Sequence, residues 1–288
     1  MDIGFIAVSL LNGVSLGMVL FMLTTGLSLT LGLMGVINLT HGAFFMVGGY
    51  IGWTIAIKLG ANYWLAVLGG GVAAGVIGLF IERGFLRVLY KRINEQVMLT
   101  VGFIYVIANL SLWIWGGSVH APFTDPALAQ SFSFFDITYP LHRITTIGIG
   151  TIIVVGMWWL QEKTRFGAIM RAGMDNKEIV TVLGINIVRA SSVAFFLGAF
   201  LAGIGGVFGA QTLGINLDMG WSVLLLALIV LVVGGMGSIQ GALVGAMVIG
   251  IVDAFGRALF PDMAMFLMYL VMVVILFFKP LGLMPRHT

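Results

Sequence analysis

No cysteine occurs in the 288 residues of this chain, which excludes disulfides, thiol chemistry and cysteine-based metal sites. Charge is almost as scarce. Only 9% of residues are charged against 60% hydrophobic, too little polar surface to clothe a water-soluble body. The formal net charge of +3 is too small to draw nucleic acid, and the basic residues are better explained by membrane topology. No G-x-x-x-x-G-K-[ST] loop is present to cradle nucleotide phosphates, so the chain alone cannot drive pumping with ATP. Met1-Asp2 leads into the first apolar run without a basic region, and no signal peptide is read there. Ionisable groups are missing from the middle of every expected span. Asp253 and Arg257 stand near the end of theirs, one helical turn apart, and are expected to pair. This shortage disfavours a proton- or sodium-coupled carrier.

What fills the chain instead is apolar sequence in runs long enough to cross a hydrocarbon core, which takes about 20 residues each. They extend over Phe5 to Thr24, Gly42 to Ile57, Tyr63 to Phe80, Val97 to Trp115, Ile144 to Leu160, Ser191 to Gln211, Trp221 to Val233, Ala242 to Ala258 and Met263 to Phe278. The piece from Gly26 to His41 is apolar but interrupted by Gly32, Gly35, Asn38 and Thr40, and is expected to be discontinuous or re-entrant. The fold class is therefore an all-α membrane protein. It is a polytopic bundle of about eight to ten transmembrane helices with broken helices, in a single transmembrane domain over residues 1–288. Many of the 41 glycines fall inside the apolar runs, where the missing side chain lets neighbouring backbones approach.

Lys and Arg collect in a few places, and those places set the orientation. Arg83, Arg87, Lys91 and Arg92 crowd one short connection, and Lys279 and Arg286 close the chain. Between them lies a polar island, residues 162–190, carrying Lys163, Arg165, Arg171, Lys177 and Arg189 against Glu162, Asp175 and Glu178. All three segments are expected on the cytoplasmic side. The connection 116–143 has Arg143 as its firm cation and is marked by Pro122, Asp125, Pro126, Asp136 and Pro140, so it is expected outside, as is the N-terminus with Asp2. Within the island Ile179, Val182 and Leu183 fall at i, i+3 and i+4, one face of a helix. A short amphipathic helix there would lie in the headgroups or fit a groove on a partner protein. The plainer alternative is a solvated basic loop that only fixes topology.

A weak internal echo joins the two halves. "GVINLTHGAFFMVGGYIG" ending at Gly52 and "VGGMGSIQGALVGAMVIG" ending at Gly250 each break an apolar run with small and polar residues, present His-Gly-Ala or Gln-Gly-Ala, and resume as a Gly-spaced helix. Matched broken segments point to a transport path at a repeat interface, while helix packing alone would also yield Gly-rich stretches. The polar groups in these breaks, Asn38, Thr40, His41, Ser238 and Gln240, are the candidate path residues, because each would be costly against lipid. Bonding between helices is the competing role for each of them. No metal-binding or catalytic constellation is read, so the chain is not expected to be an enzyme.

"GLSLTLGLMGVINLTHGAFFMVGGYIG" from Gly26, "TRFGAIMRAGMDNKEIVTVLGIN" from Thr164, "GGMGSIQGALVGA" from Gly234 and the terminal "KPLGL" together resemble the LivH-type permease subunits of branched-chain amino-acid ABC importers. The resemblance runs over nearly the whole chain with its motifs in order. It implies a permease in the bacterial-type inner membrane that pairs with a second, LivM-like permease as a heterodimer. It further implies an extracytoplasmic binding protein and two cytoplasmic ATPases that carry the ATP and Mg, the chain itself binding no cofactor. Under it the island becomes an ATPase-coupling segment, with Arg165, Gly167, Arg171, Ala172, Glu178, Gly184 and Ile185 on the family's motif and Ile179, Val182 and Leu183 filling the ATPase groove. The charged residues would bond the ATPase surface. Relatives in the broad family carry urea, amides or aromatic acids, so the substrate stays open between these and a branched-chain or related hydrophobic amino acid. A stand-alone secondary carrier and a passive channel are the rival classes.

Overall fold

A computed structural model describes residues 3–35, 38–90, 92–134 and 137–285. The charges expected at Asp2, Lys91, Asp136 and Arg286 lie outside the described residues. The chain folds as α1 (Ile3–Met34), α2 (His41–Trp53) continued by a π-helical turn (Thr54–Lys58), α3 (Tyr63–Gly84), a 3₁₀ turn (Leu86–Leu89) and α4 (Ile93–Trp115). A hairpin of β1 (Ser131–Phe134) and β2 (Ile137–Pro140) follows, with Ser131 opposite Pro140 in antiparallel register. Then come α5 (Leu141–Lys163), α6 (Arg165–Asp175), α7 (Lys177–Val182), α8 (Ile187–Leu213), α9 (Met219–Gly234), α10 (Ile239–Leu259), a 3₁₀ turn (Pro261–Met263) and α11 (Ala264–Phe278). Among the described residues 7 helices are long and apolar enough to cross a membrane, α11 counted with the turn before it, and α9 is a shorter apolar helix. With α2 and its turn as a further apolar rod, this is a polytopic helical bundle.

The helices differ in what they face. α8 runs through the middle, flanked by α1, α2 and α3, and α2 is buried along almost its whole length. The faces of α3, α4, α5 and α11 carry exposed apolar side chains such as Val76, Trp113, Ile152 and Phe277, which is the surface a bilayer wets. Polar ends settle the helix boundaries. Asn62 accepts from the Trp64 N–H at the start of α3, Ser238 accepts from Gly241 N–H at the start of α10, and Asn186 accepts from Arg189 N–H at the start of α8.

The expected break between Gly26 and His41 is placed differently. Helix α1 continues without interruption through Gly26 and Gly32 to Met34, and the chain leaves the helix only at Gly35, whose φ of +66° is a left-handed conformation. Gly26 and Gly32 are contact points rather than breaks. A Cβ on Gly26 would fall 2.6 Å from the Gly198 Cα of α8, and one on Gly32 would fall 3.2 Å from the Gly237 Cα. Helix α2 begins with His41 packed beside Gly26, about two turns short of the end of α1. A helix start buried inside the protein in this way is the discontinuity the sequence foreshadowed, shifted by several residues.

The basic segments converge on one end. Arg83 and Arg87 share a pocket with Arg189, and Arg171 shares a cavity with Lys279. The hairpin and the first half of α1 occupy the other end, where the Arg143 guanidinium donates to Asn12. There His120 and Ile215 exchange backbone hydrogen bonds at 3.0 and 3.1 Å, Trp53 stacks on His120 at 4.1 Å, and Tyr50 stacks on Trp115 at 5.0 Å. Asp253 and Arg257 pair as expected, Nε to Oδ2 at 2.8 Å.

Candidate functional site

At the basic end the chain leaves α5 and folds into two short helices. Thr164 opens α6 by accepting from the Gly167 N–H at 3.1 Å, and Asn176 opens α7 by accepting from both Glu178 and Ile179 N–H. Gly167 is buried because α6 lies directly on the last turn of α5; a Cβ there would collide with the Leu160 and Gln161 carbonyls. Gly184 ends α7 with φ +79°, a conformation other residues adopt only under strain. Val180 and Met170 turn inward, whereas Ile179, Val182 and Leu183 are exposed at 59%, 86% and 71%. The expected amphipathic helix is present, with its apolar face turned away from the rest of the chain.

The charged residues of the island divide in role. Arg165 and Glu178 are exposed, as is Ala172, and Ile185 is half-buried in the turn toward α8. Arg171 is engaged inside the chain: its guanidinium donates to the Gln161 carbonyl and lies 3.6 Å from the Glu162 carboxylate. It clips α6 to the end of α5. The internal contact arises because the tight turn at Lys163 and Thr164 folds α6 back onto α5, and the Arg171 side chain stays half-buried.

The candidate path residues fall in two places. Asn38, Thr40 and His41 are completely buried where α2 begins. Asn38 Oδ1 accepts from the Thr40 N–H, Asn38 Nδ2 and His41 Nδ1 meet at 3.1 Å, Thr40 Oγ1 donates to the Thr100 carbonyl of α4 at 3.0 Å, and the imidazole meets Phe44 edge-on. Asn38 joins Thr40 and His41 in one local knot, Thr40 ties that knot to α4, and the buried His41 Nε2 is left without a hydrogen-bond partner among the described residues. Ser238 and Gln240 lie at the basic end instead, on a cavity of about 770 Å³ shared with Gln161, Glu162, Arg171 and Lys279. A second, largely apolar cavity of about 170 Å³ adjoins it, lined by Phe21, Val154, Trp158 and Leu243 and sharing Gln161, Ile239 and Gln240 with the first.

The sequence reading missed Gln161, Trp158 and the hook after α11. Gln161 touches both cavities and its carbonyl receives Arg171, which with Glu162 also lines the larger cavity, so the cavity wall and the island meet here. The hook folds back so that Leu283 and Met284 N–H groups donate to Val233 and Gly234 carbonyls at 2.9 Å, forming the cavity rim. Among the described residues no group of His, Asp and Glu side chains is arranged to hold a metal ion.

Comparison with known proteins bears on this arrangement. Residues 9–276 match the family described as branched-chain amino acid transport system, permease component. The high-affinity branched-chain amino acid transport system permease protein LivH of Salmonella typhimurium is 26% identical over 96% of this chain and 94% of its own length. BraD of Pseudomonas aeruginosa, named likewise as a high-affinity branched-chain amino acid permease, is 26% identical over 96% of this chain and 95% of its own. Among solved structures, PsaBC from Streptococcus pneumoniae in complex with Fab aligns with a TM-score of 0.51 at 12% identity, covering 93% of this chain and 89% of that one. The last likeness concerns the fold alone.

Proposed function

This chain belongs to the family of branched-chain amino acid transport system permease components, and from that premise we propose that it works as one membrane subunit of an ATP-driven importer whose motor docks on α7. It is a multi-pass transport component. The proposed substrate is a branched-chain or related hydrophobic amino acid, supported by the names of the relatives and by an apolar cavity wall. The proposed partners are a second, LivM-like permease, two ATPases that carry ATP and Mg, and an extracytoplasmic binding protein. The basic end is then cytoplasmic and the hairpin end extracytoplasmic, by the excess of Lys and Arg in the connections of the former. The membrane is accordingly the cytoplasmic (inner) membrane of a bacterial-type cell.

One observation carries the coupling assignment. Ile179, Val182 and the capping Leu183 project from a helix held to the rest of the chain by the buried Val180, and they do so at the end where an ATPase would stand. Burying such side chains in a partner's groove supplies affinity, while exposed Arg165 and Glu178 set orientation. Movement of α7 passes to α6 and, through the Arg171 clip and the Gly167 contact, to the last turn of α5. Gln161 stands there, on the wall of both cavities. A tilt of α5 would widen or narrow the space beside Gln240 and Trp158, which is what alternating access between two permeases requires. In this account Gln240 and Ser238 belong to the cytoplasmic mouth, and Asn38, Thr40 and His41 hold the bundle together.

Affinity purification of the tagged chain from its native membrane in detergent tests the reading. Recovery with a second permease and ATPase subunits is expected. Recovery of the chain alone, still transporting after reconstitution into vesicles, would contradict it.

A further inference from the structure

Away from the island's apolar face, a second feature of the basic end has the form of a ligand site. Arg83 at the end of α3, Arg87 in the following 3₁₀ turn and Arg189 in the first turn of α8 surround one open pocket of about 340 Å³, together with Asn186 and Ser192. Three guanidinium groups around one space repel one another, and none of them makes an ion pair among the described residues. The nearby acid does not serve them. Glu82 is completely buried and turned inward, where it accepts from the Ser192 hydroxyl at 2.7 Å and from the Tyr90 hydroxyl. Three guanidinium groups with no carboxylate in an ion pair with them among the described residues favour an anion.

The pocket does not end at the arginines. Arg83 also belongs to a shallow apolar groove of about 430 Å³ on the outer face of α3, formed by Val76, Leu79, Phe80 and Gly84. Val76 and Phe80 are 54% and 66% exposed, one turn apart on the side that a bilayer wets. Arg83 lines both groove and pocket, and at Gly84, beside it, no atom lies within 4 Å of where a Cβ would stand, so the groove is unobstructed at that end. A charged head site continuous with a lipid-facing trough matches one class of molecule.

We propose that this is a binding site for an anionic glycerophospholipid of the cytoplasmic leaflet, its phosphate held by Arg83, Arg87 and Arg189 and one acyl chain laid along Val76 and Phe80. Charge complementarity selects the headgroup, and the groove selects a lipid over a soluble phosphate. By pinning the start of α8 to the end of α3, a bound lipid would hold together the two helices that flank the Glu82–Ser192 hydrogen bond.

The assay is native mass spectrometry of the intact complex purified with mild detergent and exposed to phosphatidylglycerol or phosphatidylcholine of the same chain length, with inorganic phosphate as competitor. Wild type is expected to retain phosphatidylglycerol preferentially, and each Arg→Gln change at 83, 87 or 189 is expected to lower retention about fivefold. Gly84→Trp keeps every arginine but fills the groove beside Arg83, and should lower retention as well; its monodispersity in gel filtration and that of Arg87→Gln, on an exposed turn, verify the fold. Equal retention of the two lipids, or unchanged phosphatidylglycerol in all variants, would overturn the site. Displacement by millimolar phosphate together with indifference to Gly84→Trp would overturn the lipid assignment and leave a phosphate site. Arg92, Lys163 and Arg165 are untouched, so membrane orientation stays fixed.

Discussion

Replacing Val182 by Ala and Val180 by Ala makes the same chemical change two residues apart on α7, yet the structure calls for opposite consequences. Val182 is 86% exposed and Val180 is 3% exposed. Each change removes two carbon groups at about 0.8 kcal/mol per buried group. For Val182 the loss is felt only in the assembled importer, where about 1.6 kcal/mol corresponds to roughly a 15-fold weaker hold on the ATPase, with fold stability moving by less than about 0.5 kcal/mol. For Val180 the same loss plus a cavity term destabilises the chain itself by about 1.5 to 3 kcal/mol, and ATPase affinity changes only as a by-product. The assay is a titration of purified ATPase onto the chain in nanodiscs, with thermal denaturation of the same samples. Identical behaviour of the two variants, or an unweakened ATPase complex in Val182→Ala, would refute the division of α7 into an anchored and a docking side.

Other consequences follow from single residues. Gly184→Ala forces a Cβ into a φ of +79° and should cost about 1 to 2 kcal/mol at the end of α7, read as reduced ATP-driven uptake with normal membrane insertion. Arg171→Gln unclips α6 from α5, so hydrolysis measured as phosphate release should continue while uptake of labelled amino acid falls; tight coupling in that variant would count against the clip. His41→Gln should leave the pH profile of uptake unchanged, because the imidazole is a buried partner of Asn38 rather than a relay; a lost pH dependence would reverse that role. Arg257→Gln should lower thermal stability more than Asp253→Asn, since it leaves a buried carboxylate facing no cation, whereas the reverse change leaves an exposed guanidinium in water.

Much of the architecture could be read from the chain because apolar run length is a direct consequence of bilayer thickness. The runs at Tyr63, Val97, Ile144, Ser191 and Ala242 all became helices, each longer than its run by a few residues; those at Ser191 and Ala242 gained their extra first turn behind the polar caps Asn186 and Ser238. Glycine was the ambiguous letter. Gly26 and Gly32 look like helix breakers until Gly198 and Gly237 are seen against them, and only the partner helix distinguishes a break from a close contact. For the same reason the sequence could not tell the buried α2 from the lipid-facing α3, both being apolar and glycine-rich. On α7 the periodicity of Ile179, Val182 and Leu183 identified the exposed face, because that signal is local. The internal bond of Arg171 was not legible because its partner is a backbone carbonyl ten residues back, and a carbonyl leaves no mark in a sequence. The cavity at Gln240 draws on Gln161 and on the hook at Lys279 and Pro285, brought together only by the fold.

The absence of native cysteine makes the most direct test of the coupling claim clean. Val182→Cys and Val180→Cys are each introduced alone, the importer is assembled in native membranes, and a short bifunctional cross-linker is applied. The account predicts a cross-link from position 182 to the ATPase subunit and none from position 180. No product at 182 in a complex that still co-purifies with its ATPase would contradict it.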